Sequence, residues 1–384
     1  MQHPFKILIL TAGYGNGHIQ VSETLKQSFY RQGIDNVKII DLFQEAHPGL
    51  NRISRYLYSR SSAFSNYGFN YYGWSYDRTK NMDRRGAWAR GFKFLGMRRL
   101  VRIIEEEQPQ AVLSTFPFGG VSDQLSKMEA DIPLFTVVTD FSLHNRWLLT
   151  DADQYYVATE ELKRDMVDRG VQPGKITVSG IPVRELFYES RAKPSARAAS
   201  RSILVIAGAH GALPDIKPLV RSLLTIPGVY VDVICGKNDR LRRELQRRYA
   251  HEPRIRLFGY VESLHEAMRQ AACVVTKAGG ITLSELILIG TPILIFKPFP
   301  GQERENARYL ESKQAALVSA SVKEIVAQVQ ELFDSAALRQ TLSTRHEAFA
   351  EGRAADTIVR DVLRTIASRK MSSSPSTSHY TGAL

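Results

Sequence analysis

The chain has 384 residues, 43% of them hydrophobic and 23% charged, with a formal net charge of +12. That length exceeds one ordinary domain and suits two of roughly 150–200 residues each. The longest nearly apolar run, LILIGTPILIF at 286–296, is too short and interrupted to span a bilayer, and MQHPFKILIL lacks a signal-peptide layout, so neither a transmembrane helix nor secretion is expected.

In chain order, FKILILT (5–11) reads as a buried strand, the stretch from Gly17 to Gly33 as a helix closed by glycine, and NVKIIDL (36–42) as a second strand. A different kind of segment follows. From Asn51 to Arg102 there are twelve Lys and Arg against two acids, together with twelve aromatics that include Tyr72, Trp74 and Trp88. Cationic side chains interleaved with Tyr and Trp suit an anionic membrane surface, where rings sit at headgroup depth and charges meet lipid phosphates. A solvated basic face and a nucleic-acid contact remain the other readings of that segment. Arg84 and Arg85, with Tyr72 and Trp74, are its candidate membrane contacts.

Next come a helix near 97–107 and strands AVLST (111–115), LFTVVTD (134–140) and QYYVATE (154–160). Continuous aliphatic strands alternating with helices predict a doubly wound α/β domain, with a parallel sheet covered on both faces. The turn GIPVREL (180–186) leads into ESRAKPSARAASR (189–201), a polar linker rich in Ala and Ser. The pattern then restarts. RSILVIAGAHG (201–211) repeats the strand-then-glycine-loop layout of residues 7–18, and VYVDVICG, RIRLFGY, CVVTKAGG and TPILIFKP supply further strands. Cys235 and Cys273 lie within these apolar runs, which suits reduced core thiols and not a disulfide or a metal site. A helical stretch covers about 322–367, and the Ser/Thr-rich end is expected to be disordered. The expected organisation is an N-terminal domain at 1–188, a linker at 189–201, a C-terminal domain at 202–345, a helix at 346–367 returning to the first domain, and a disordered tail at 368–384. Two Rossmann-like halves in tandem place a cleft between the carboxyl ends of their sheets.

ILILTAGYGNGH (7–18) raises a dinucleotide reading, with Asp41 as the candidate ribose acid. Its glycines are spaced GxGxG and not GxGxxG, however, and Tyr14 and Asn16 put bulk inside the turn. The loop ends in His18 near a helix N-terminus, where an imidazole tends to stay neutral and basic. That makes His18 a candidate general base, with a capping or packing role as the plain alternative. Asp140, at the end of LFTVVTD, and the nearby His144 and Trp147 are further candidates facing the cleft.

The most specific signal is TKAGGITLSELILIGTPILIFKPFPGQERENARYL (276–310). After a strand, Gly279 and Gly280 allow close approach of a ligand, and a helix beginning near Ile281 aims free N–H groups and its positive dipole end at the same point. This is a diphosphate seat. Glu285, one turn later, is placed to accept hydrogen bonds from ribose hydroxyls, and Gln302, Glu303 and Asn306 form a polar cluster suited to a hexose.

TKAGGITLSE, GTPILIFKPFPGQERENA, ILTAGYGNGH, VTDFSLHNRW and VIAGAHG together resemble the GT-B glycosyltransferases of family 28. That group contains the plant monogalactosyldiacylglycerol synthases, the peptidoglycan N-acetylglucosaminyltransferase and the processive diacylglycerol β-glucosyltransferases, and the last are the most similar. The resemblance runs in order from residue 5 to about 367. It implies a GT-B fold, a UDP-sugar donor bound by the C-terminal domain, a lipid acceptor held by the N-terminal one, and inverting transfer of glucose to the 3-hydroxyl of 1,2-diacylglycerol, followed by extension to the diglucosyl lipid. Carried over by motif, Glu285 holds the ribose, while Gly279, Gly280, Ile281 and Thr282 line the diphosphate. Gln302 and Glu303 grip the hexose, with Asn306 beside them, and Gly259, Tyr260 and Val261 face uracil. Gly208, His210 and Gly211 close on the phosphates, and Gly15 and Gly17 flank the site beside His18. No cofactor is implied, no acidic pair is placed for a metal, and the enzyme is expected at the cytoplasmic face of the membrane.

The plant relatives carry an aspartate in the first glycine loop, and TAGYGNGH has no acid. Three arrangements of the base therefore stay open: His18 alone, His18 with Asp140, or His144 in the acceptor site. Competing readings of the whole chain are a UDP-galactose-dependent synthase, a UDP-sugar epimerase on the same fold, and a non-catalytic nucleotide-binding protein whose basic face meets nucleic acid.

Overall fold

The computed structural model describes residues 5–13, 17–46, 49, 96–191, 201–208, 213–349 and 352–373. Two parallel sheets organise it. The first runs in the order β2-β1-β3-β4-β5-β6 and is built from β1 (Ile7–Thr11), β2 (Val37–Asp41), β3 (Ala111–Ser114), β4 (Leu134–Val137), β5 (Gln154–Val157) and β6 (Ile176–Val178). The second runs β12-β11-β10-β7-β8-β9, from β7 (Ser202–Ile206), β8 (Tyr230–Ile234), β9 (Ile255–Phe258), β10 (Cys273–Thr276), β11 (Ile293–Phe296) and β12 (Leu317–Ser319). In each sheet the strand that follows the sequence restart, β1 or β7, lies inside, with its neighbours in register: Ile9 faces Ile39 and Leu113, and Val205 faces Val275 and Val233.

The strand residues explain this placement. All five residues of β1 are buried, as are all four of β3, β4, β10 and β11. Such runs have no solvent face, so helices must cover both sides. The helix Gly280–Ile289 follows the same logic: it is mostly apolar with no polar stripe, eight of its ten residues are buried, and Gly290 at φ 75° ends it.

Three local features differ from the sequence expectation. A helix, Glu185–Arg191, occupies the end of the expected turn and the start of the expected linker, and Phe187 in it is fully buried. The helix Ala354–Ser373 runs into what composition assigned to a disordered tail. Strands β6 and β12 went unread because each is only three residues long.

The two halves share buried surface. Phe141, Ile181, Val183 and Phe187 belong to the same apolar cluster as Ile281, Leu283 and Leu286. The helix Ala354–Ser373 then lies against the helix Gly17–Arg31 of the first half: Ser28 and Arg31 donate to Asp356 at 2.6 and 2.7 Å, and the Tyr156 hydroxyl donates to Asp361 at 2.8 Å. Cys235 and Cys273 are buried free thiols, and loss of hydration pushes them up to about 11 and about 12.

Candidate functional site

The site forms where the carboxyl ends of β1, β3 and β4 face the N-terminus of the helix Gly280–Ile289. His18 sits in the first turn of the helix Gly17–Arg31. Its Nδ1–H donates to the Thr115 carbonyl oxygen at 2.7 Å, with the Thr139 hydroxyl 3.2 Å away. A carbonyl can only accept, so the proton is fixed on Nδ1 and the lone pair is left on Nε2. Desolvation lowers the ring to about 4, against the smaller opposing effect of the Thr115 hydrogen bond. The imidazole is therefore neutral at cellular pH, with the Nε2 lone pair as its acceptor.

Aromatic rings wall this histidine. Phe116 packs edge-on at 5.2 Å between ring centroids and Trp147 lies at 6.4 Å. Phe43 and Phe118 continue the wall, at 5.7 and 5.0 Å from Phe116. Polar anchoring comes from Asp41, whose carboxylate accepts from Gly13 N at 2.9 Å and Gln44 N at 3.0 Å. The acid considered for a dinucleotide ribose thus fastens the start of the glycine loop.

Asp140 is 4% exposed and accepts from Gln302, Asn306 and Trp147. Burial raises it to about 6 in spite of those three donors. No hydrogen bond joins it to His18 among the described residues; the histidine is oriented by Thr115 instead. His144 caps the short helix Asn145–Leu148, its Nδ1 accepting from Arg146 N at 3.1 Å. That spends the ring's lone pair, so as a neutral imidazole it has none for a substrate. His144 and Trp147 are 5% and 2% exposed, which places them inside the protein. Tyr72, Trp74, Arg84 and Arg85 lie outside the described residues, as do Gly15, His210 and Gly211.

Across the cleft, glycine is required at Gly280 and closely packed at Gly17. A Cβ on Gly17 would come within 3.1 Å of Ile281 Cγ1, and one on Gly280 would overlap the Thr139 carbonyl oxygen. Gly279 by contrast faces open space. Thr282 is half-buried and Ile281 buried in the first turn. Glu285 is 2% exposed, and its Oε1 accepts from two residues of the first half, Gln20 and, at 3.1 Å, Arg184. Desolvation raises the Glu285 carboxyl, and Arg184 opposes that shift.

The hexose candidates separate. Glu303 takes the Lys277 ammonium on Oε1 at 2.7 Å, while its buried Oε2 has no donor among the described residues. Gln302 reaches across to Asp140. Asn306 corrects the expectation of a sugar contact: it is fully buried, with Oδ1 accepting from Phe141 N at 3.0 Å and Nδ2 donating to the Ala278 carbonyl at 3.2 Å. It ties the halves together. Gly208 adopts φ 85° after β7, and Tyr260, 63% exposed, follows β9 with Gly259 and the half-buried Val261. Thr115, Gln20, Arg184 and Lys277 were not singled out from sequence; Lys277, Arg184 and Thr115 stood inside quoted stretches without a role, and nothing in the spacing points to Thr115. Among the described residues no cluster of His, Cys, Asp or Glu is arranged to hold a metal ion.

Comparison with known proteins fits this arrangement. Residues 18–183 match the family model described as monogalactosyldiacylglycerol (MGDG) synthase, and residues 202–359 match the glycosyltransferase family 28 C-terminal domain. A processive diacylglycerol beta-glucosyltransferase of Bacillus cytotoxicus is 39% identical over 86% of this chain and 86% of its own length. The chain belongs to the processive diacylglycerol β-glucosyltransferase family. Its namesake from Bacillus mycoides is 36% identical over 93% of this chain and 94% of its own. Among solved structures, Acinetobacter baumannii MurG superposes with a TM-score of 0.65 at 16% identity, covering 94% of this chain and 100% of that one. A UDP-GlcNAc 2-epimerase from Neisseria meningitidis, bound to UDP-GlcNAc, gives 0.61 at 15% identity, covering 94% and 100%. Likeness at that identity establishes the GT-B fold, which glycosyltransferases and epimerases share; the family follows from the bacillar relatives.

Proposed function

We propose that the protein transfers glucose from UDP-glucose to the 3-hydroxyl of 1,2-diacylglycerol with inversion, and then adds a second glucose to the product. The observation that carries this reading is the His18 ring, neutral and with its lone pair on Nε2, held beside an aromatic wall and opposite the N-terminus of the helix Gly280–Ile289. His18 takes the proton of the acceptor hydroxyl as its oxygen attacks the anomeric carbon. The C1–O bond to the diphosphate breaks with its electron pair, and UDP leaves from the opposite face. Charge gathering on the leaving diphosphate meets the free N–H groups and dipole of that helix.

Glu285 holds the ribose in this reading, Gln302 and Glu303 face the hexose, and Gly259, Tyr260 and Val261 face uracil. Phe43, Phe116 and Phe118 give the acceptor side an apolar lining suited to a glyceride. No metal enters the reaction: turnover persists in EDTA, and loss that Mg²⁺ restores would contradict this. No helix among the described residues is long and apolar enough to cross a membrane. The enzyme works as a peripheral protein on the cytoplasmic face of the membrane, drawn there by the basic aromatic segment that follows residue 50.

The anomeric configuration of the product tests the mechanism. Transfer from α-linked UDP-glucose gives a β-glucosyl lipid by proton NMR; an α-linked product would overturn single displacement with His18 as base.

A further inference from the structure

Gln20 lies two residues after His18 on the same first helical turn, and its side-chain amide donates across the cleft to Glu285 Oε1. Arg184 donates to that same oxygen at 3.1 Å. Both hydrogen bonds to Glu285 end on Oε1, and no described residue donates to Oε2. The carboxylate is thus divided: Oε1 is bonded by the first half of the chain, and Oε2 takes no donor from either half among the described residues.

We propose that Gln20 is a positioning residue, tying the nucleotide-holding Glu285 to the helical turn that carries His18, so that nucleotide in its seat fixes where the base stands. This rests on the reading of Glu285 as the ribose acceptor. The two donors on Oε1 contribute different things. Arg184 supplies charge, offsetting the desolvation of a carboxylate that is 2% exposed, and its guanidinium also stacks 4.9 Å from the Phe187 ring centroid. Gln20 is neutral and short-tethered, so it contributes direction. The Thr24 hydroxyl bonds the Gln20 carbonyl at 2.8 Å, which adds a backbone fastening to the same turn. Gly17, in contact range of Ile281, keeps this turn close to the diphosphate seat. Errors of an ångström in the placement of a base cost turnover and not ground-state binding.

The test is Gln20→Leu, similar in size but without the amide, in the full chain, with kcat, KM for UDP-glucose and the Kd of UDP measured beside Glu285→Gln and the double variant. Gln20 is half-buried, and a thermal melt verifies folding of each variant. The expected result is a kcat lower by about tenfold with the UDP Kd within about twofold of wild type, and no further fall in kcat when Q20L is added to E285Q. A Q20L kcat within about twofold of wild type, or an equal fall in the E285Q background, would overturn the proposal. So would a UDP Kd weakened as much as kcat, which would make Gln20 a ligand of the nucleotide. An unchanged UDP Kd in E285Q contradicts the ribose assignment instead, and that result is read separately from the Q20L turnover.

Discussion

The Nδ1 proton of His18 is held by the backbone carbonyl oxygen of Thr115, 2.7 Å away, and not by a carboxylate. A charged partner would raise the imidazole; this neutral one leaves desolvation in control and the ring down at about 4. The ring is already neutral at neutral pH, and its orientation is set by the residue that directly follows β3, a fully buried strand.

Replacement of that ring is the first prediction. His18→Ala lowers kcat by roughly 10²–10⁴-fold, the range for loss of a positioned general base, while the Kd of UDP, measured by calorimetry, stays near wild type. Asp140→Asn costs less, because Asp140 has no hydrogen bond to His18. Near-normal turnover in His18→Ala would remove it as the base.

Two buried groups give opposite pH dependences of stability. Between about 4 and the ordinary 6.5 of histidine, the unfolded chain binds a proton on His18 that the folded protein excludes, so stability rises with pH. Between 3.8 and about 6, folded Asp140 keeps a proton that the unfolded chain has released, so stability falls with pH. In the wild type these slopes largely offset each other. Thermal melts from pH 4.5 to 6.5 are expected to show Asp140→Asn gaining stability more steeply with pH than wild type, and His18→Gln less steeply. Parallel curves for all three would contradict the assigned shifts.

The adjacent glycines Gly279 and Gly280 are expected to behave differently. Gly279 has φ −75° and open space beyond it, so Gly279→Ala folds normally, within about 0.5 kcal/mol, and raises KM for the donor by crowding the phosphates. Gly280→Ala meets the Thr139 carbonyl and drives the halves apart. It is expected to lose most activity and to increase the radius of gyration in solution scattering. Equal behaviour of the two variants would argue against the cleft geometry.

The basic segment should act through lipid charge. Arg84→Glu with Arg85→Glu is expected to weaken binding to vesicles containing anionic lipid, each change worth about 1 kcal/mol or more. It should leave turnover of detergent-dispersed diacylglycerol near wild type. Unchanged vesicle sedimentation would exclude these arginines from membrane contact.

Much of this was legible in the chain itself. Runs such as ILILT and ILIF have no polar face, so a parallel sheet covered on both sides follows from composition. Gly279, Gly280 and His18 stood out as candidates because glycine and histidine carry their chemistry in their type. The cross-cleft partners were not. Gln20 and Glu285 are 265 positions apart, and Thr115 acts through its backbone, which no side-chain pattern encodes. The same blindness misassigned Asn306, whose amide looks suited to a sugar until its burial between the halves is known. The helix Glu185–Arg191 was hidden because seven residues are too few for a helical period to show.

Mass analysis of lipid products tests the central claim most directly. The purified protein is incubated with 1,2-diacylglycerol in vesicles and either UDP-glucose or UDP-galactose. With UDP-glucose, one hexose and then two are added to the diacylglycerol, while UDP-galactose gives little product. Galactosyl product alone, or a lipid that gains no hexose from either donor, would contradict a processive diacylglycerol glucosyltransferase.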